Sequence, residues 1–297
     1  MTVTASLRPR GPYSIALTAR LAGDASRTFD GEVLEAVVPV ADGVEQVRAR
    51  QRPEGTIEVA AASDEGVERM RFVLALDDDH SPFLRLCRHD PLLRETAWRL
   101  EGLRQIRVPT VAQALLRALC GQLIESSRAR ALERGIVRAT SPGKGRLRPP
   151  PTRAGLAALA PARLRALGLH ARRGATLVRL CRELDLERLH AAPTETVAAR
   201  LLRERGIGPW SVGVVCLEGL GRTERGLVGD LGLVKLLSAL EGRWVEADET
   251  AALLDRYEDW AGLASLYLLA GFARGLLPLP DGSRVRPTPS RLRFAAA

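Results

Sequence analysis

A chain of 297 residues that is 46% hydrophobic has enough apolar material for one large domain or two ordinary ones. Its net charge of +9 is uneven: residues 1–79 carry nine arginines against fourteen Asp and Glu (net −5), and the remainder carries 35 basic against 21 acidic residues (net +14). That places an acidic front module before a basic body suited to a polyanion, although solvated Arg-rich helix faces account for the charge equally well.

Along the chain, the first 62 residues look like strands. Y-S-I-A-L-T-A-R-L (13–21) alternates, and V-E-Q-V-R-A-R-Q-R and T-I-E-V-A-A-A flank a Pro53-Glu54-Gly55 turn as the arms of a hairpin. From Ser63 the period changes to that of a helix with Val67, Met70 and Val73/Leu74 on one face. D-D-D at 77–79 marks a boundary, and the signal beyond it is helical. One helix is expected from Pro109 and Thr110 to Gly135, with Leu116, Leu119 and Leu123 along one stripe. Ser141 to Pro151, which includes Lys144, reads as a polar loop. Helices are expected at about 152–167, with a break at Pro161, at 171–184 and at 193–203. After the sharp corner E-R-G-I-G-P-W-S-V-G (204–213), a further helix runs to Leu220. A loop then leads to Asp230, two more helices reach about residue 275, and residues 276–297 form a Pro-rich basic tail. The fold class is α+β: an antiparallel sheet domain with a helix (1–79), then a helical body (80–275).

Cys87, Cys120, Cys181 and Cys216 are too far apart for a zinc ribbon or an iron–sulfur ligand set and are expected to be reduced, buried thiols. His80, His89, His170 and His190 contain no H-x-x-x-H pair, so no catalytic metal is expected. Arg20 and Asp24 interrupt the first apolar run, and Leu263 to Ala273 is too short to cross a bilayer, which leads to the expectation of a cytoplasmic protein without a membrane partner.

The corner at 204–213 carries the chemistry. Gly206 and Gly208 permit positive φ and close backbone approach. Amide N–H groups between Gly208 and Ser211 open a new helix and have no intrahelical acceptor, so they and the helix dipole suit a phosphate oxygen. On this motif alone an ordinary helix–helix corner is the preferred reading, as a helix N-cap is for Asp230.

L-L-R-E-R-G-I-G-P-W-S-V-G-V-V (201–215), L-V-G-D-L-G-L-V-K (227–235) and R-A-L-C-G-Q-L-I (117–124) together resemble the helix-hairpin-helix DNA glycosylase superfamily, in particular its 3-methyladenine DNA glycosylase II branch. The likeness spans roughly residues 1–275 and places the hairpin at about 193–220. It implies base-excision repair of double-stranded DNA containing damaged bases, by a monomer in the cytoplasm, at a bacterial nucleoid. The reaction implied is hydrolysis of the N-glycosidic bond of alkylated purines such as 3-methyladenine and 7-methylguanine, after the nucleotide is flipped out.

The same likeness assigns residues. Asp230 is the catalytic carboxylate; Gly206, Gly208 and Ser211 hold the DNA backbone; Gln122 and Leu123 occupy the gap left by the flipped nucleotide; Trp210 and Tyr267 line the base pocket. Leu123 and Tyr267 also fit plain core positions. Lyase members place lysine where this chain has Trp210, so strand cleavage is not expected. Val214, Ala261 and Leu269 depart from the family's aromatic and arginine positions, which points to an altered lesion range. No cofactor is implied beyond a structural monovalent cation on hairpin carbonyls. The competing reading is a non-catalytic DNA-binding protein that kept the hairpin.

Overall fold

The computed structural model describes residues 2–143 and 145–280; Lys144 and most of the basic tail lie outside the described residues. In chain order the elements begin β1 (Val3–Leu7), α1 (Ile15–Thr18), β2 (Arg27–Phe29), β3 (Val33–Val40), β4 (Gly43–Gln51), β5 (Ile57–Ala61), α2 (Asp64–Val73), α3 (Ser81–His89) and α4 (Arg94–Arg99). Next come α5 (Val111–Gly121), α6 (Ser126–Thr140), α7 (Arg153–Ala157), α8 (Pro161–Ala166), α9 (Ala171–Glu183) and α10 (Thr194–Leu202). The last are α11 (Pro209–Val214), a π-helical continuation over Val215–Leu220, α12 (Leu231–Glu241), α13 (Glu249–Asp255) and α14 (Ala261–Arg274). The fold is α+β. Among the described residues, no helix is long and apolar enough to cross a membrane.

The chain forms two compact units that interleave along the sequence. The first takes residues up to 80, 102–193 and 214–221; the second takes 81–101, 194–213 and residues from 222 onward.

In the first unit the strands form one antiparallel sheet in the order β1-β5-β4-β3-β2. Side chains alternate across a strand, so Leu34, Ala36 and Val38 of β3 share a buried face with Val47 and Ala49 of β4 and Ile57 and Val59 of β5. Helix α2 covers that face through Val67, Met70 and Val73. Ser63 caps it, its hydroxyl accepting from Gly66 N–H at 3.1 Å. The hairpin around Pro53-Glu54-Gly55 forms with Gln51 opposite Ile57.

Three sequence expectations change. The stretch 13–21 is not a strand: the Ser14 hydroxyl accepts from Leu17 N–H and starts α1, with Ile15 and Thr18 buried three residues apart. The helix expected from 109 to 135 is two helices, because Gln122 is extended (φ −59, ψ 125) and Leu123 is left-handed (φ +59). Between Asp230 and residue 275 lie three helices rather than two, Gly242 (φ +66) ending the first.

In the second unit, α14 packs its buried face against α3 and α4. The Phe83 ring meets Tyr267 at 5.2 Å and Trp260 at 6.1 Å. Gly271 gives α4 room, since a Cβ there would lie 2.3 Å from Thr96 Oγ1.

Candidate active site

The hairpin is built as its glycines and proline dictate. Glu204 N–H donates to the Leu201 carbonyl and Ile207 N–H to the Glu204 carbonyl, both at 3.0 Å, and Gly206 turns the chain at φ +90. Glu204 is buried and paired with Arg200 one turn earlier at 2.7 Å. Ile207 is the apolar plug beneath the turn, at 6% exposure. Pro209 occupies the first helical position, where its fixed φ suits the helix and its missing N–H breaks no bond. Pro209 therefore contributes no donor, and the first bond of α11 runs from Val212 N–H to the Gly208 carbonyl. Gly206, Arg203 and Arg205 are exposed and Gly208 half-buried, with open space beside Gly208. Ser211 is only 2% exposed, so its side chain lies inside and has little access to a phosphate.

Asp230 caps α12 and bonds through both carboxylate oxygens. Oδ1 accepts from Gly232 N–H at 2.8 Å, and Oδ2 accepts from the Trp210 indole Nε1–H at 2.9 Å. Asp230 is thus the helix N-cap, with one oxygen serving the helix and the other facing the hairpin's tryptophan. Asp230 and Trp210 are both half-buried. Leu269 packs at Gly232 beside Asp230, because a Cβ at Gly232 would lie 2.5 Å from Leu269 Cδ2 and 3.0 Å from Asp230 Oδ1.

The loop before Asp230 is fastened along its length. Gly262 N–H donates to the Thr223 carbonyl at 2.6 Å, Leu227 N–H to Ser265 Oγ at 3.0 Å, and Gly229 N–H to Thr250 Oγ1 at 2.7 Å. Arg225 pairs with Glu195 of α10. Gly213 and Gly226 bring this loop against α11: a Cβ on Gly213 would sit 2.4 Å from the Gly226 carbonyl oxygen. Sequence reading passed over Gly213, Gly226, Gly232, Thr250 and Ser265. The glycines at 213 and 226 could have drawn notice as small residues inside the motif region, but their mutual contact could not.

The remaining assigned residues separate. Tyr267 is fully buried, its hydroxyl donating to the Leu100 carbonyl at 3.2 Å, and so offers no free face to a base in this conformation. Leu123, in the other unit, is 66% exposed and thus not core; Gln122 before it is half-buried. Val214 is buried and Lys235 exposed. All four cysteines are buried and outside any disulfide, and burial pushes the thiols of Cys87 and Cys181 up to about 12, which leaves them protonated and unreactive.

No family model matches the chain. It is 28% identical over 206 residues to a DNA-3-methyladenine glycosylase of Bacillus subtilis (strain 168), which covers 65% of this chain and 67% of that protein. Its fold matches that of a 3-methyladenine DNA glycosylase from Archaeoglobus fulgidus, with a TM-score of 0.80, 20% identity, and coverage of 92% of this chain and 98% of the other. It also matches an 8-oxoguanine glycosylase/lyase of Clostridium acetobutylicum bound to double-stranded DNA, with a TM-score of 0.73, 15% identity, and coverage of 92% and 98%. The sequence relative and these structural neighbours are DNA glycosylases, which supports the likeness of this chain to the helix-hairpin-helix DNA glycosylase superfamily.

Proposed function

We propose that this protein is a base-excision DNA glycosylase that hydrolyses the N-glycosidic bond of alkylated purines, 3-methyladenine and 7-methylguanine, and leaves the strand uncut. One observation carries the reading: the hairpin's Trp210 and the carboxylate of Asp230 are in direct contact at 2.9 Å, which supports a strand grip at the turn acting beside the acidic group. In this reading the exposed backbone around Gly206 and Gly208 holds a phosphate without reading sequence, and Leu123 enters the duplex where the nucleotide has left.

The chemistry asks little of the protein. As the bond between C1′ and N9 breaks, its electron pair passes to the purine and neutralises the positive charge that alkylation placed there. The sugar becomes an oxocarbenium ion, which the Asp230 carboxylate stabilises, and water adds to C1′ and gives up a proton. Preorganised charge of this kind is worth roughly 10²–10³ in rate. A lyase reaction needs an amine to attack C1′. Position 210 supplies an indole, and Lys235 is exposed on α12, outside the pair formed by Trp210 and Asp230. The apolar Leu269 beside Asp230 supports a pocket with less π-surface for cationic bases. A monomer, and a monovalent cation on the hairpin carbonyls, belong to the same proposal.

The test is release of free bases from methylated duplex DNA by the full chain and by Asp230→Asn. Release by the wild type, with a fall of about a hundredfold or more in the variant at unchanged DNA affinity, is the expected result. DNA binding without release of any alkylated, deaminated or oxidised base leaves the non-catalytic reading in its place.

A further inference from the structure

We infer that Trp210 is a positioning residue for the reaction: its indole N–H, more than its aromatic face, sets the orientation of the Asp230 carboxylate. This rests on the reading of Asp230 as the reacting group. A carboxylate on a single Cβ can spin about its last torsion, and that torsion is broad in energy. Here it is pinned at two points. Gly232 N–H holds Oδ1 at 2.8 Å from within the aspartate's own helix, and Trp210 Nε1–H holds Oδ2 at 2.9 Å from a different element. The first bond alone fixes one oxygen and leaves the plane free to swing about it. The second fixes the plane.

The position of Trp210 gives this bond its consequence. Trp210 is the second residue of α11, immediately after the Gly206–Gly208 turn and Pro209. Its backbone moves with the turn that grips the strand, while its side chain moves with the carboxylate. Strand position is thereby transmitted to the reacting oxygen through one rigid ring with two torsions. Gly213 and Gly226 keep the two elements in backbone contact, which prevents the span between them from drifting. Leu269, packed at Gly232, offers no hydrogen bond that could stand in for the indole. Because the indole N–H is already engaged, Trp210 has no donor left for the edge of a base. Any contact it makes with an everted nucleotide goes through the ring face, and such contact discriminates poorly among bases.

The test separates N–H from ring. Trp210 is replaced by 3-benzothienylalanine, which keeps the ring's shape and face but carries sulfur in place of the N–H; Trp210→Phe serves as a second variant. Single-turnover base release at saturating methylated DNA, the dissociation constant for the same DNA, and the melting temperature are measured for wild type, both variants and Asp230→Asn. The expected result is a release rate lower by roughly tenfold to a hundredfold in the benzothienyl protein, with affinity changed less than twofold and melting unchanged. Wild-type release by the benzothienyl protein, with Asp230→Asn inactive, overturns the positioning role and leaves the assignment of Asp230 standing. Equal losses of rate and affinity also overturn it, since they assign Trp210 to stacking. Asp230→Asn releasing base at the wild-type rate overturns the assignment of Asp230 and this inference with it.

Discussion

Leu123 pays twice for its place: its backbone sits at φ +59, where a side chain is strained by on the order of 1 kcal/mol or more, and its apolar side chain is 66% exposed to water. Neither term helps folding. A residue held against both fits the wedge proposed for it, and its removal is then expected to touch activity and not stability. A core leucine cut to alanine costs about 2–5 kcal/mol. An exposed one changes stability by less than about 0.5 kcal/mol. Leu123→Ala is therefore expected to melt within a degree or two of the wild type and yet to excise bases from duplex DNA about tenfold more slowly, with a smaller loss on single-stranded substrate, where no gap needs filling. Equal losses on both substrates would remove the wedge role. Ser211 and Tyr267 show the converse. Both are polar residues that the resemblance assigned to substrate contact, and both are buried. A hydroxyl says nothing about which way it faces until its neighbours are known.

At the scale of elements, the site depends on two segments meeting backbone to backbone. Gly213 on α11 faces the Gly226 carbonyl, and a methyl group at 213 would lie 2.4 Å from that oxygen and 3.1 Å from its carbon. Both atoms are main chain and cannot rotate away. Gly213→Ala improves helix propensity by about 1 kcal/mol, but overpacking of this kind costs roughly 1–3 kcal/mol. Displacement of the Asp230 loop is a separate penalty. The variant is expected to lose stability in chemical denaturation and to lose more than tenfold in excision rate; a stabilised, fully active protein would show that the two segments separate freely. The hairpin and the cap at Asp230 were legible because Gly-x-Gly-Pro and an aspartate before an apolar run constrain the backbone locally. The sheet hairpin at Pro53-Glu54-Gly55 was legible for the same reason. The break between α5 and α6 was not. Residues 122–125 contain neither Pro nor Gly, and Leu123 has no intrinsic preference for the left-handed region it occupies. The Gly213–Gly226 approach was hidden as well, because its partners are thirteen residues apart in sequence and meet only through tertiary packing.

The whole molecule adds a charge network that composition could not reveal, although its net charge suggested surface arginines. Within the first unit, Arg117 of the R-A-L-C-G-Q-L-I stretch is almost fully buried and bonds to Asp24 at 2.7 Å, Glu133 at 2.9 Å and Glu218 at 2.5 Å. Arg27, also buried, shares Asp24 at 2.5 Å. One guanidinium thus ties the segment before β2 to α5, α6 and the π-helical turn, where Gly219 makes room for Ala114. Burial alone would raise the carboxyl of Asp24, but Arg27 and Arg117 hold it well below the usual range; Arg117 and Arg130 lower that of Glu218 against its own burial. Groups depressed in this way contribute stability that is complete above their unfolded values near about pH 4 and is lost as pH falls through the folded ones. Wild-type protein is therefore expected to lose stability steadily below about pH 4. Arg117→Met removes the central cation and leaves Glu133 and Glu218 as buried anions, at a cost of about 3–5 kcal/mol near pH 7. Protonation of Glu218, no longer held down by Arg117, relieves that anion, so the gap between variant and wild type is expected to narrow as pH drops from about 7 towards 4. Denaturant titrations of both proteins at several pH values measure that gap directly. A gap that stays constant across the range would mean that Arg117 acts through packing of its alkyl stem and not through its charge.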